Sequence, residues 1–186
     1  MKGYIILGIV ILVIVLIISW IIKTYNKLVP LRNKVKDQWS QVDVQLKKRF
    51  DLIPNIVETV KGYAKHEKET LNAVIEARNN ALSAKDPNAE MDANNQLSGA
   101  LTKLFALSEA YPELKADSNF KDLQENLKEV EEKIAYARQF YNDTVLKYKN
   151  AIEMFPTVLI AGMLGFKQEQ FFEATENERQ NVKVQF

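Results

Sequence analysis

The sequence predicts an all-α protein: an N-terminal transmembrane helix followed by an antiparallel up-and-down four-helix bundle. Three observations carry that expectation. Residues 3–22, GYIILGIVILVIVLIISWII, contain no charged side chain. From Thr24 onward the chain turns polar, and its apolar residues recur three or four apart, the spacing of one helical face. Six glycines and five prolines are few for 186 residues, and the prolines fall singly between stretches rich in Ala, Leu, Glu, Lys and Gln.

The charge-free run comes first. About 20 residues at a rise of about 1.5 Å cover about 30 Å, the thickness of a bilayer's hydrocarbon core. Tyr4 and Trp20 stand near its two ends, where amphipathic rings favour the headgroup zone, and Lys23 ends it. A cleaved secretory signal is the competing reading. It fits less well, because the run is long for a signal and ISWIIK puts bulky residues where a peptidase requires small ones. Residues 1–25 are therefore expected to be a short tail and a retained anchor, with the bilayer as partner of residues 3–22.

Residues 26–166 are expected to form the bundle. Its first segment carries Leu28, Leu31, Val35, Trp39, Val42, Leu46, Phe50, Ile53, Val57, Val60 and Ala64 on one stripe, which runs straight through Pro54. Pro54 has no N–H to give residue 50, and its ring disfavours helix at Ile53. Either the helix bends there and turns back near GYAKHE, or FDLIPN is itself a turn with Pro54 opening a new helix. The unbroken stripe favours the bend. Pro30 raises the same question and is expected to mark the joint between anchor and bundle.

Further seams follow. Leu71, Val74, Arg78 and Ala81 form one, ended by the loop SAKDPNAE. Leu97, Leu101, Leu104, Ser108 and Tyr111 form another, closed by Pro112, with PELKADSN as connection. Phe120, Leu123, Leu127, Val130, Ile134, Ala137, Tyr141, Val145, Tyr148 and Ile152 make a seam along a helix on the order of 50 Å long. Asp117 or Ser118 suits its N-cap, and Pro156 stops it. Short amphipathic helices are marginal alone, so these stripes must bury against one another.

FPTVLIAGMLGF, residues 155–166, is apolar on most faces and too short to span a bilayer, with Gly165 a plausible stop. It either caps the core or touches the membrane surface. Residues 167–186 are expected to be a polar C-terminal tail whose extended end, NVKVQF, packs Val182, Val184 and Phe186.

At this point the sequence resembles the LemA family of small bacterial membrane proteins. The pieces that carry the resemblance are YNKLVPLRNKV after the anchor, WSQVDVQLKKRFDLIPNIVETVKGYAKHEKETL, VIEARNNAL, FYNDTVLKYKNAIEMFP and GFKQEQFF. They cover most of the chain beyond the anchor, in family order. Pro30 departs from the polar or charged residue more usual there. The resemblance implies one N-terminal transmembrane helix, an antiparallel helical bundle and no enzyme activity.

The residues point the same way on chemistry. With 25 basic and 24 acidic side chains, net charge gives no drive toward nucleic acid, and no nucleic-acid partner is expected. No cysteine is present, which excludes disulfides, thiolate metal sites, cysteine nucleophiles and an acylated lipoprotein cysteine. His66 is the sole histidine, so Glu-x-x-His pairs on facing helices cannot be assembled. EVEEK, residues 129–133, reads as a solvated face with ion pairs in preference to an acidic metal site. No cofactor, metal or catalytic residue is expected.

The polar set of most interest is Arg49, Asp51, Asn55 and Glu58 with Glu76, Arg78 and Asn79. Arg78 lies on an apolar seam and requires a carboxylate or carbonyl partner. A structural ion pair between helices is the plainer reading of this set, and a partner or ligand site the other. The chain is thus expected to be a non-catalytic scaffold or interaction module in the bacterial cell membrane, engaging other membrane or envelope proteins. An accessory subunit, or an enzyme acting on a membrane-proximal substrate, is the alternative. Lys23, Lys27, Arg32, Lys34 and Lys36 precede the first acid, Asp37, whereas only Lys2 and the amino terminus precede the anchor. Basic residues resist translocation, which places the bundle in the cytoplasm and the N-terminus outside. A signal-anchor reading of Lys2 and the apolar run would export the bundle instead.

Overall fold

The computed structural model describes residues 1–84 and 87–172. Its elements are α1 (Lys2–Tyr63), α2 (Lys68–Ser83), α3 (Pro87–Ser108), α4 (Pro112–Ala116), α5 (Ser118–Glu153) and α6 (Val158–Ala161). The described residues contain no strand, so the fold is all-helical. NVKVQF lies outside them. Two compact units are present. The first combines Met1–Ser40 with Phe140–Glu169 and the second combines Gln41–Gln139 with Gln170–Phe186, so α1 and α5 each contribute to both.

In the first unit, α1 has two environments. Tyr4 to Ile18 are exposed on every face, although nearly all are large and apolar. Burial then sets in at Thr24, Leu28 and Val35. The facing part of α5 buries Tyr141, Val145, Tyr148 and Ile152. Trp39 meets Tyr141 edge-on with ring centroids 5.4 Å apart, and Tyr25 meets Phe166 edge-on at 5.6 Å.

The second unit buries most of each expected stripe, with Ala77 in place of Arg78 and Met91 in addition. On α1 these are Val42, Leu46, Phe50, Ile53, Val57 and Val60; on α5 they are Phe120, Leu127, Val130 and Ile134. On α2 they are Leu71, Val74, Ala77 and Ala81, and α2 packs against α3, which buries Met91, Leu97, Leu101 and Leu104. Two tyrosines tie the loops at one end. Tyr63 donates to Asp117 Oδ2 at 2.8 Å and Tyr111 donates to Glu67 Oε1 at 3.0 Å.

Four expectations about breaks are corrected or resolved. α1 continues through Pro30, so that proline is no joint, and through Pro54, so FDLIPN is not a turn. The chain reverses later, at residues 64–67, where the Glu67 N–H donates to the Ala64 carbonyl at 3.1 Å. Pro112 does not close a helix. α3 ends at Ser108, and the N–H groups of Glu109, Ala110 and Tyr111 each donate three residues back, a tightened last turn. Pro112 then opens α4, where its missing N–H is harmless. Pro87 likewise opens α3, so part of the expected loop is helical. At α5 the Phe120 N–H donates to Asp117 Oδ1 at 2.8 Å, which makes Asp117 the side-chain cap.

Candidate functional site

Arg49 is the largest wholly buried side chain of the second unit, with 0% exposure. It sits on the buried face of α1, three residues after Leu46 and four before Ile53, so the helix itself drives it inward. A buried guanidinium is tolerated only when its donors are satisfied. Nη1 donates to Ser98 Oγ at 2.9 Å and to Glu131 Oε1 at 2.8 Å, and Nη2 donates to the Asn94 side-chain oxygen. Asn94, itself fully buried, gives its own amide to the Glu90 carbonyl at 2.8 Å. The cluster therefore ties α1 to α3 and α5, and Arg49 Nε finds no acceptor in it. Glu131 is the outlet: its side chain is 37% exposed while its charge partner is dry.

Glu131 and Ser98 also line an open groove of about 560 Å³ between α3 and α5. Thr102, Phe105, Lys121 and Lys128 add further walls. A larger groove, about 850 Å³, lies where α1 and α2 meet. Lys61, Lys65, His66 and Lys68 line it over the apolar Leu71 and Ile75. Among the described residues, no three His, Asp or Glu side chains come together to hold a metal ion.

The polar residues singled out in the sequence are only partly gathered. Arg78 is half-buried beside the seam, where Ala77 takes the buried position, and its Nε donates to the Phe50 carbonyl at 2.9 Å. Arg78 and Asp51 share a small cleft of about 280 Å³ with Asp43 and Glu90. Burial, then the Asp43 charge, raises the Glu90 pKa above its usual range. Asp51 pairs on the surface with Lys47 at 3.2 Å, and Glu58 with Lys61 at 3.2 Å. Asn55, Glu76 and Asn79 are exposed and apart from the Arg49 cluster. Glu129 pairs with Lys133, which holds its carboxyl below the usual range.

Arg49's partners Asn94, Ser98 and Glu131 were not recognised in the sequence. A signal existed for one of them. Met91, Asn94, Leu97 and Leu101 are three or four apart, so Asn94 interrupts an apolar seam as a polar residue that must find a partner inside.

Comparison with known proteins finds relatives over most of the chain. MamQ 2, a magnetosome protein of Paramagnetospirillum magneticum, is 22% identical over 189 residues, covering 88% of this chain and 70% of its own. The magnetosome protein MamQ of Magnetospirillum gryphiswaldense is 22% identical, with 89% and 71% covered. Protein LemA of Metamycoplasma hominis is 23% identical over 158 residues, with 84% and 72% covered. The LemA family description matches residues 38–186, which takes in the Arg49 cluster and every helix from α2 to α6, and the chain belongs to the LemA family.

Proposed function

We propose that the protein is a single-pass, membrane-anchored helical bundle that acts as a non-catalytic interaction module, with its helices in an antiparallel up-and-down arrangement. The observation that carries this reading is the change of environment along α1. One continuous helix is apolar and uncovered over Tyr4 to Ile18, then packs into a folded unit from Thr24 onward. The charge-free run that contains this uncovered stretch, residues 3–22, has the length that suits the hydrocarbon core of a bilayer. The bundle lies on the cytoplasmic side, because Lys23, Lys27, Arg32, Lys34 and Lys36 follow the span directly.

The groove between α3 and α5 is the partner surface favoured by its chemistry. It mixes apolar walls with both charge signs and borders the buried Arg49 cluster. Crosslinking in native membranes followed by purification tests the module reading, and one stoichiometric protein partner is the expected result. A defined small-molecule ligand with turnover would overturn it. For topology, Lys115→Cys in this cysteine-free chain should resist an impermeant maleimide in intact cells and react after lysis. Strong labelling before lysis would reverse the assignment.

A further inference from the structure

Residues 154–166, MFPTVLIAGMLGF, lie between Glu153 and Lys167 without one charged side chain. Ala161 and Phe166 are buried, but most of the large apolar side chains do not serve as core. Met154, Phe155, Val158, Leu159 and Met163 are all exposed, Phe155 at 80% and Met163 at 87%. Five large apolar side chains in 13 residues form a patch of the kind that soluble surfaces avoid.

The fold holds this patch at a defined height. Gly165 takes φ +78°, and the Phe166 N–H reaches back to the Ala161 carbonyl at 3.0 Å, a glycine-dependent helix stop that folds Phe166 inward. Phe166, buried, meets Tyr25 at 5.6 Å, and the Arg32 guanidinium lies 5.0 Å from its ring centre. Tyr25 is three residues past Ile22, about 5 Å beyond the end of the charge-free run. Lower on the same unit, Tyr141 meets Trp39, so α5 climbs toward the span and α6 is delivered beside its end. In sequence, Lys23 and Lys27 follow the span directly and Lys167 follows the patch.

We infer that α6 and its flanking residues are a second membrane contact: a wedge whose Met154, Phe155, Val158, Leu159 and Met163 side chains enter the headgroup–acyl boundary of the bilayer that α1 spans. Lipid is the occupant that fits, because the patch is apolar, is tied through Phe166 and Tyr25 to the end of the charge-free run, and is flanked in sequence by Lys167, a base suited to lipid phosphates. The inference rests on the anchoring proposed above. It adds a function for the wedge: fixing the tilt and rotation of the anchor, which a single helix alone leaves free.

The test uses the full chain in vesicles of phosphatidylcholine and phosphatidylglycerol. Environment-sensitive dyes are placed singly at Met163→Cys, Ile11→Cys and Asp143→Cys, the last an exposed position about 16 Å before Met154 along α5. The M163C dye should emit to the blue of the D143C dye. Nitroxide lipids labelled near the headgroup should quench it several-fold more than lipids labelled in mid-chain, and I11C should show the reverse order. An M163C dye that matches D143C would overturn the wedge while leaving the anchor intact. So would one that is blue-shifted yet unquenched, because protein, including a second copy of the chain, would then cover the patch. If the I11C dye also escapes quenching, the anchor fails and the wedge with it.

Discussion

Arg78 on α2 donates its Nε to the backbone carbonyl of Phe50 on α1, 2.9 Å away. Phe50 is four residues before Pro54, the position whose carbonyl a helix interior would pair with the N–H of residue 54. Proline has no N–H, so this carbonyl is orphaned by Pro54 and taken up by Arg78. The finding explains how α1 passes a proline without breaking. It also gives the arginine a role other than an ion pair. Arg78→Ala should cost about 1–3 kcal/mol, the range for leaving a partly buried backbone acceptor unpaired. In a Pro54→Ala background the restored N–H should take over, and the same change should cost little. A double-mutant cycle on chemical unfolding of the detergent-solubilised chain measures this; equal costs in both backgrounds would separate the two residues.

Arg49 is the arginine that the core depends on. Removing it strands the Asn94 side-chain oxygen in a dry interior, takes a donor from half-buried Ser98 and leaves Glu131 without its counter-charge. Arg49→Ala should cost about 2–4 kcal/mol, more than Arg78→Ala, since it removes a fully buried side chain and leaves buried Asn94 without its donor. Arg49→Lys should recover only part, because a point charge cannot reach three partners as a planar fork does. Unfolding midpoints of the three variants, measured side by side, check the order.

Two carboxylates should give opposite pH signatures. The Phe120 N–H, then the Tyr63 hydroxyl, hold the Asp117 carboxyl below its usual range. Its stabilisation is present above the unfolded value and lost as pH falls through the folded one. Asp117→Ala should therefore differ most from wild type at neutral pH, with the gap closing on acidification. Glu90 is raised by burial, then by Asp43, so its charged form is the unfavourable one. Glu90→Gln should stabilise the protein at neutral pH, and that gain should fade as pH falls and Glu90 itself protonates. Thermal midpoints across an acid series test both signs.

Much of this was legible in the sequence, and the reason is periodicity. The stripe on α1 and the seam on α5 were readable because burial of one helical face leaves a three-or-four spacing, and nearly all their members are buried. Prolines are less legible. Pro112 and Pro87 open helices where closure and loop were expected, since a proline restricts its predecessor in either case. Both halves of the Arg78 contact were also visible: a proline that withholds a bond from residue 50, and an arginine seeking a carbonyl. Joining them required knowing that α2 lies along that part of α1. Arg49 was harder still, because Lys47, Lys48 and Arg49 look alike in sequence. Only the 100° step between neighbouring residues sends one of the three inward.

Tyr141 supplies a test at the alkaline end. Its ring is 3% exposed and packs edge-on against Trp39. Burial, then the Glu169 charge, pushes the hydroxyl up to about 12. The folded value is above the unfolded one, so the folded state holds its proton more tightly. The associated stability is complete below about pH 10 and lost as pH rises toward about 12. Two units correspond to at most roughly 2–3 kcal/mol. Tyr141→Phe removes the titrating group and keeps the ring. The variant should differ from wild type by a constant amount below about pH 10, then lose less stability as pH rises further. Unfolding midpoints for both proteins over that window decide the matter. Parallel curves throughout would show that the Tyr141 hydroxyl titrates as it does in water.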